Sequence, residues 1–271
     1  MAEEKEKKNM KVAIATLTCN DRADLNITIE TFLRETDNRS FIWHVLLQGC
    51  TEEFITNIRE KFIDSGLSED NFILHVEEVN LGLSKGMNKL MENIQNHADF
   101  EFILNLEDDW FCMPKACTKM GKDWLDVCLA FLDSDDEIST LFLRHYVNEQ
   151  EKAKYAWSRS IHYVCFHTLN NFNYREKMRE TYKFDFQGIE FQKIPKFLYS
   201  ANPTLFRLAD YLRVGIFPLH EYADVHQVKE NWETSSTQAP FWGQAEGLAM
   251  EKHLSLICYN VGRGKFAHST G

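Results

Sequence analysis

Three consecutive carboxylates, Glu107, Asp108 and Asp109, close the stretch FILNLEDDWF at 102–111. Four of the five residues before them are apolar and Trp110 follows, so the acids stand at the end of what reads as a buried strand. Like charges held close together are costly unless a cation neutralises them, and their hard oxygen donors suit Mg²⁺ or Mn²⁺. On an extended backbone Glu107 and Asp109 would point to one side and Asp108 to the other. The plain alternative is a solvated acidic turn that ends a strand. The apolar residues on both sides favour a functional cluster.

A second chemical segment is NLGLSKG at 80–86. Gly82 and Gly86 allow backbone to approach a ligand, Ser84 is placed to cap a helix, and Lys85 sets a cation near a would-be phosphate. Standing alone, the same residues describe an ordinary loop that starts a helix. The chain ends in YNVGRGKFAHSTG, where glycines flank Arg263 and a histidine, His268, lies close to the terminus. A frayed tail is the plain reading of that segment. The other nine histidines show no HxxxH or HExxH spacing and read as structural.

These residues need a frame, and the pattern between 11 and 111 supplies one. KVAIATLT, FIWHVLLQG, NFILHVEEV and FEFILNL are apolar runs of strand length. Between them Leu25, Ile29, Phe32 and Leu33, then Phe54, Ile55, Ile58 and Phe62, then Leu83, Met87, Leu90, Met91 and Ile94 recur at helical spacing. Strands buried on both faces and separated by helices predict an α/β fold with a mostly parallel central sheet flanked by helices. Ligands bind such sheets outside the carboxyl ends of the strands, which is where the three acids fall. Beyond them a helix is expected at 115–132, a strand at ISTLFLRHY, and helices at 204–214 and near 243–254. The region 155–199 is aromatic and rich in hydrogen-bonding side chains.

The chain of 271 residues is 44% hydrophobic, enough for one large domain. We expect a charged tail at 1–10 and a single domain at 11–271, split into a nucleotide-binding half at 11–111 and an acceptor half at 112–271 with a C-terminal flap. A net charge of −11 argues against nucleic acid as partner. No run of about 18 apolar residues predicts a membrane span, and the N-terminus lacks a signal-peptide core. Seven scattered cysteines without a CxxC pair read as reduced thiols, which with the missing signal points to a cytoplasmic protein.

In order and spacing, VAIATLTCNDRADLNITIETFL, NLGLSKGMNKLM and FILNLEDDWF resemble a GT-A-fold glycosyltransferase of the family-2 type. Asn80, Gly82, Ser84, Gly86 and Asn88 match the family's N-x-G-x-(A/S)-x-(G/A)-x-N segment, and the three acids match its D-x-D-type metal motif. The resemblance covers roughly 11–111. It implies the nucleotide-diphospho-sugar transferase fold and transfer of a hexose or pentose from a UDP-, GDP- or TDP-sugar to a carbohydrate hydroxyl, with Mn²⁺ or Mg²⁺ as cofactor and with inversion.

The resemblance also implies roles. Thr16 and Asp21 would contact base and ribose, Glu107 and Asp108 the ribose or sugar hydroxyls, and Asp109 the metal, with His268 as a second ligand. Asn80, Gly82, Ser84, Lys85 and Asn88 would face the donor, and Arg263 and Lys265 would pair with phosphate oxygens. Glu246, in PFWGQAEG, is the expected general base, with Asp224 next. One departure stands out: the second strand ends LLQGCTEE, so Gln48 sits where the family carries an acid and would meet the base edge instead. Trp157, Trp232 and Trp242 would suit stacking on sugar faces.

Two other classes fit parts of the pattern. A sugar-1-phosphate nucleotidyltransferase shares frame and metal but needs a glycine-rich loop after the first strand, and TLTCNDRADL has no glycine. A catalytically silent carbohydrate-binding or scaffold protein would keep the fold without turnover.

Overall fold

The computed structural model describes residues 12–118, 120–136, 138–143, 183–194, 203–214, 257–261 and 266–268. The first hundred of these follow the alternation of the sequence: β1 (Val12–Cys19), α1 (Asp24–Glu35), β2 (Phe41–Gln48), α2 (Glu52–Asp64), β3 (Phe72–Glu77), α3 (Gly82–His97) and β4 (Phe102–Asn105). β1 pairs in parallel with β2 on one side and β4 on the other, and β2 pairs in parallel with β3. The chain therefore moves outward from β1 to β3 and returns across β1 to β4. The carboxyl ends of β1 and β4 become a topological switch point, where a crevice opens.

Alternation within each strand sorts side chains between two apolar layers. Val12, Ile14, Trp43, Val45, Leu47, Phe102 and Leu104 face α1 and α2, where Phe32 meets Trp43 at 4.9 Å and Trp43 meets Phe62 at 5.2 Å between ring centroids. Ala13, Ala15, Leu46 and Ile103 face Met87, Leu90, Met91 and Ile94 of α3. Burying each of the larger side chains contributes on the order of 1.5–3 kcal/mol, so these layers fix where the strand ends lie.

Among the described residues the later chain widens the sheet to nine strands in the order β3-β2-β1-β4-β9-β6-β10-β8-β7. Its strands are β6 (Ile138–Phe142), the hairpin β7 (Lys183–Phe186) and β8 (Ile189–Ile194), β9 (Thr204–Arg207) and β10 (Ile257–Val261). The helix expected at 204–214 is in fact strand β9 followed by a helix at Leu208–Val214. β9 runs antiparallel between β4 and β6, with Leu205 opposite both Leu104 and Leu141 and wholly buried. Pairing on two edges and burial on two faces outweigh the helical spacing of Leu205, Leu208 and Leu212. The helix expected at 115–132 is likewise two pieces, α4 (Lys115–Thr118) and α5 (Trp124–Asp133), interrupted around Gly121, a poor helix former.

A two-stranded sheet joins β5 (Trp110–Cys112) to β11 (Phe266–His268). Phe266 is fully buried, stacked on Phe32 at 6.2 Å and edge-on to Trp124 at 5.4 Å. This aromatic anchor brings the C-terminal segment back to the carboxylates: His268 pairs with Trp110, the residue after Asp109. Within the segment expected to act as a C-terminal flap, 266–268 forms this strand.

Candidate active site

β4 ends at Asn105, and Asp108 and Asp109 form a turn before β5 begins. The side-to-side alternation expected along an extended 107–109 therefore does not hold. Asp108 and Asp109 turn toward the same partner, Arg22, which follows β1: its two terminal nitrogens lie 3.2 Å from Asp108 Oδ1 and 3.2 Å from Asp109 Oδ2. Glu107 is set apart, accepting from the Trp110 indole at 3.0 Å.

Asp108 is held from every direction. Its second oxygen accepts from the Thr18 hydroxyl at 2.6 Å, its carbonyl accepts from Thr28 at 2.8 Å, and only 3% of the residue is exposed. Burial pushes its carboxyl up to about 6, against the opposing pull of Arg22 and Thr18. Burial also works against the Arg22 charge, but Asp108 and Asp109 outweigh it and keep the guanidinium above its ordinary value.

Arg22 is aimed by a strained turn. Asn20 and Asp21 both adopt positive φ, 54° and 55°, a conformation that Asn and Asp tolerate better than other side chains. The Asn20 N–H donates to the Gln48 carbonyl at 3.2 Å. Both Asp21 oxygens accept from Thr51, one from its N–H and one from its hydroxyl, each at 2.9 Å. Thr51 in turn caps α2 by accepting from the Phe54 N–H at 3.2 Å. The turn is thus clasped to a helix N-terminus, which offsets its strain.

The opposite wall of the crevice belongs to β2 and α3. Gln48, 2% exposed, accepts from the Leu81 N–H at 2.9 Å through Oε1, and Asn80 Oδ1 accepts from the Gly82 N–H at 2.8 Å. Gly82 opens α3 with φ of 79°, which a side chain would resist. Gly86 matters for another reason: a Cβ there would stand 2.9 Å from both Gln48 Oε1 and Leu17 Cδ1, so these side-chain ends would have to shift for α3 to keep its place on the sheet. Its absent side chain makes room for protein. The crevice is lined by Ala15, Leu17, Leu83, Met87 and Leu106 on its apolar side. Its polar lining comprises Thr18, Cys19, Arg22, Gln48, Asn80, Asn105, Glu107, Asp108 and Asp109, with Gly82 at the rim.

Of the residues expected from sequence, Gln48, Asn80, Gly82, Glu107, Asp108 and Asp109 meet in this crevice. Thr16 is fully buried and accepts from the Trp43 indole at 2.9 Å, and Asp21 is engaged by Thr51; neither lines it. Lys85 is exposed and Asn88 half-buried within α3, outside the lining. Ser84 lies inside α3, which starts at Gly82, so it does not stand at the position that caps the helix. Glu246, Asp224, Arg263 and Lys265 lie outside the described residues, as do Trp157, Trp232 and Trp242. Sequence reasoning missed Arg22, Thr18 and Asn105. The signal for Arg22 was a lone base directly after the polar turn of β1, facing an acidic end of the neighbouring strand.

Among the described residues no three His, Cys, Asp or Glu side chains converge as a metal cage. What they offer is a pair of carboxylates already sharing one cation, the guanidinium. That suits Mg²⁺ or Mn²⁺ bound by one or two carboxylates and completed by phosphate oxygens and water. No described helix is long and apolar enough to cross a membrane.

No protein-family model matches the chain, and no curated protein matches it in sequence. Solved structures do. The chain is similar to Staphylococcus aureus TarS 1–349, with TM-score 0.52 and 14% identity over 96% of this chain and 61% of that one. The same fragment in complex with UDP gives TM-score 0.52 and 15% identity over 95% and 60%. A mannosyltransferase of Pyrobaculum calidifontis, in complex with GDP-Man and Mn²⁺, gives TM-score 0.52 and 12% identity over 95% and 54%. The chain spans about six-tenths or less of the length of these proteins. At this identity the likeness is one of fold: the chain has the α/β architecture of GT-A glycosyltransferases, with a mainly parallel central sheet.

Proposed function

We propose that the protein is a divalent-metal-dependent glycosyltransferase that moves a sugar from a nucleoside-diphosphate sugar to an acceptor hydroxyl of a glycan or glycoconjugate, with inversion. One observation carries this reading. At the switch point between β1 and β4, a crevice combines a paired-carboxylate turn on one wall with an apolar and amide wall on the other. The carboxylates suit the diphosphate end of a donor, and Leu17, Leu83, Met87, Gln48 and Asn80 suit the flat, hydrogen-bonding nucleoside end.

Within the proposal, Asp109 holds Mn²⁺ or Mg²⁺ and His268 joins it, a role supported by the pairing of His268 with Trp110, the residue after Asp109. When bound, the ion neutralises charge developing on the departing diphosphate. Asp108 sets the turn, and Glu107 faces the sugar or ribose hydroxyls. Gln48 presents an amide where an acid was expected, so it reads the base edge through neutral hydrogen bonds. Glu246, or Asp224, takes the proton of the attacking hydroxyl from the acceptor half; a single displacement needs this base on the sugar face opposite the diphosphate.

The test is a thermal-shift and transfer panel with UDP-, GDP- and TDP-sugars, each with Mn²⁺, Mg²⁺ or EDTA. At least one donor should stabilise the wild type only with metal, and Asp109→Asn should lose that stabilisation while unfolding within about 1 kcal/mol of wild type, the ordinary range for a change near the surface. Donor binding without turnover on any glycan acceptor would favour a silent binding protein. Equal stabilisation with EDTA would remove the metal from the proposal.

A further inference from the structure

The carboxylate turn already holds a cation of its own. Arg22 spans Asp108 and Asp109 at 3.2 Å each, yet the two arms differ. The Asp108 carboxylate has its other oxygen committed to Thr18 and is 4% exposed, whereas the Asp109 side chain is 13% exposed and Arg22 itself 21%. The Asp108 arm is the inner one, closed off by α1 through Thr28 and by β1 through Thr18. The Asp109 arm is the outer one, open to the crevice.

We infer that Arg22 is an exchangeable counter-ion of the site: its outer arm occupies Asp109 until a metal-bound diphosphate arrives, when Asp109 passes to the metal and Arg22 to the diphosphate. This rests on the donor reading above and adds to it a cause for ordered, coupled binding. A guanidinium cannot give up its proton, so its charge cannot be removed by titration and must be transferred to another anion. Metal alone would have to displace that charge and leave it facing the ion. Metal with a diphosphate supplies both replacements at once: a cation for Asp109 and an anion whose oxygens match the planar fork. Metal and nucleoside diphosphate should therefore raise each other's affinity, and linkage requires the factor to be the same in both directions.

The clasped turn supports this division of labour. Asn20 and Asp21 fix the backbone beside Arg22 through Gln48 and Thr51, so exchange needs a side-chain rotation about the inner Asp108 contact and no loop movement.

The test measures Mn²⁺ affinity by electron paramagnetic resonance or calorimetry, alone and with saturating UDP or GDP, in the wild type, Arg22→Gln and Arg22→Lys. In the wild type the diphosphate should tighten Mn²⁺ binding by about 10-fold or more, within the usual range of coupling between sites. Arg22→Gln removes the competitor: Mn²⁺ alone should bind more tightly than in wild type, and the coupling should shrink to roughly 2-fold. Arg22→Lys keeps a charge beside Asp108 but cannot span both carboxylates, so it folds with less perturbation and should still lose most of the coupling. A purely structural Arg22 predicts the opposite sign, weaker Mn²⁺ binding when it is removed, and that result overturns the inference. Unchanged coupling in both variants also overturns it, leaving the donor reading intact. Absence of Mn²⁺ binding in the wild type even with either diphosphate overturns both.

Discussion

Two polar clusters are buried against this sheet, and they differ in where along the strands they lie. The carboxylate turn stands at the carboxyl ends of β1 and β4, where Asp108 and Asp109 share the Arg22 guanidinium. The other lies further back, on the α3 side of the sheet: His44 of β2 meets His75 of β3 at 3.0 Å between ring nitrogens, and His97 at the end of α3 closes over it with ring centroids 5.2 Å apart. His44 is fully buried and Phe100 packs edge-on to it at 5.6 Å. Burial and the two neighbouring rings push His44 down to about 3, and burial with His97 and Lys89 lowers His75.

The same desolvation acts on both clusters with opposite consequences. It favours the neutral form of an acid, raising Asp108, and the neutral form of a base, lowering His44. Asp108 survives as a charge only because a cation and a hydroxyl were brought to it. His44 and His75 have no anion among the groups that shift them and are pushed toward the neutral form. Charge that is deliberately accommodated lies at the strand ends, and charge that is merely avoided lies behind them.

The sharpest way to break this contrast is to separate the two adjacent acids. Asp108→Ala leaves Arg22 without its inner partner and Thr18 with a buried, unmatched hydroxyl, so urea denaturation should show a loss of about 3 kcal/mol. Asp109→Ala should cost less than about 1 kcal/mol, since its outer arm is nearer solvent. Equal losses would mean that the turn is a structural unit with no exchangeable half.

The histidine cluster gives the second comparison through pH. His44 is neutral in the folded protein down to about 3, while in the unfolded chain it takes a proton near 6.5. The unfolded state therefore binds more protons in that window. Its contribution to stability is complete above about pH 6.5 and is lost as pH falls, by roughly 1.4 kcal/mol per unit for one group. His75 acts with the same sign. Asp108, raised to about 6, acts with the opposite sign, because its contribution is lost as pH rises through that value. The informative quantity is thus a difference: His44→Phe, which keeps a ring between His75, His97 and Phe100, should flatten the acid limb by about one proton relative to wild type. An unchanged slope would show that His44 is already charged in the folded state.

The parallel half of the fold was legible because its strands are apolar on both faces and its helices carry one apolar stripe, so local pattern and global fold agree. β9 was not legible. Leu205 and Phe206 belong to a strand only because β4 and β6 offer open edges on either side, and no local pattern states that. The site was half legible. Glu107 to Asp109 announced themselves as like charges after an apolar run, but which acid is inner and which outer depends on Arg22, 87 residues from Asp109. At Gly86 the sequence suggested backbone approaching a ligand, whereas in the structure a Cβ there would crowd the Gln48 and Leu17 side chains.

The smallest effect concerns Asp21, which sequence resemblance assigned to the donor and the structure places in a clasp. If its work is to hold the strained turn to Thr51, then Asp21→Asn, which tolerates positive φ and keeps one acceptor for the Thr51 N–H, loses only the second bond to the Thr51 hydroxyl. That bond is exposed, so the expected cost is about 0.5–1 kcal/mol, below the usual range for a hydrogen bond to a charged group. A double-mutant cycle with Thr51→Val isolates it, because Val keeps the N–H and removes the hydroxyl; the coupling should account for most of the Asp21→Asn loss. Nucleotide affinity in Asp21→Asn should stay within about 2-fold of wild type, since a merely stiffening clasp alters Arg22 little once one of its bonds survives. A loss of affinity of 10-fold or more, with stability nearly unchanged, would return Asp21 to the donor and make the Thr51 contacts a resting arrangement of a binding residue.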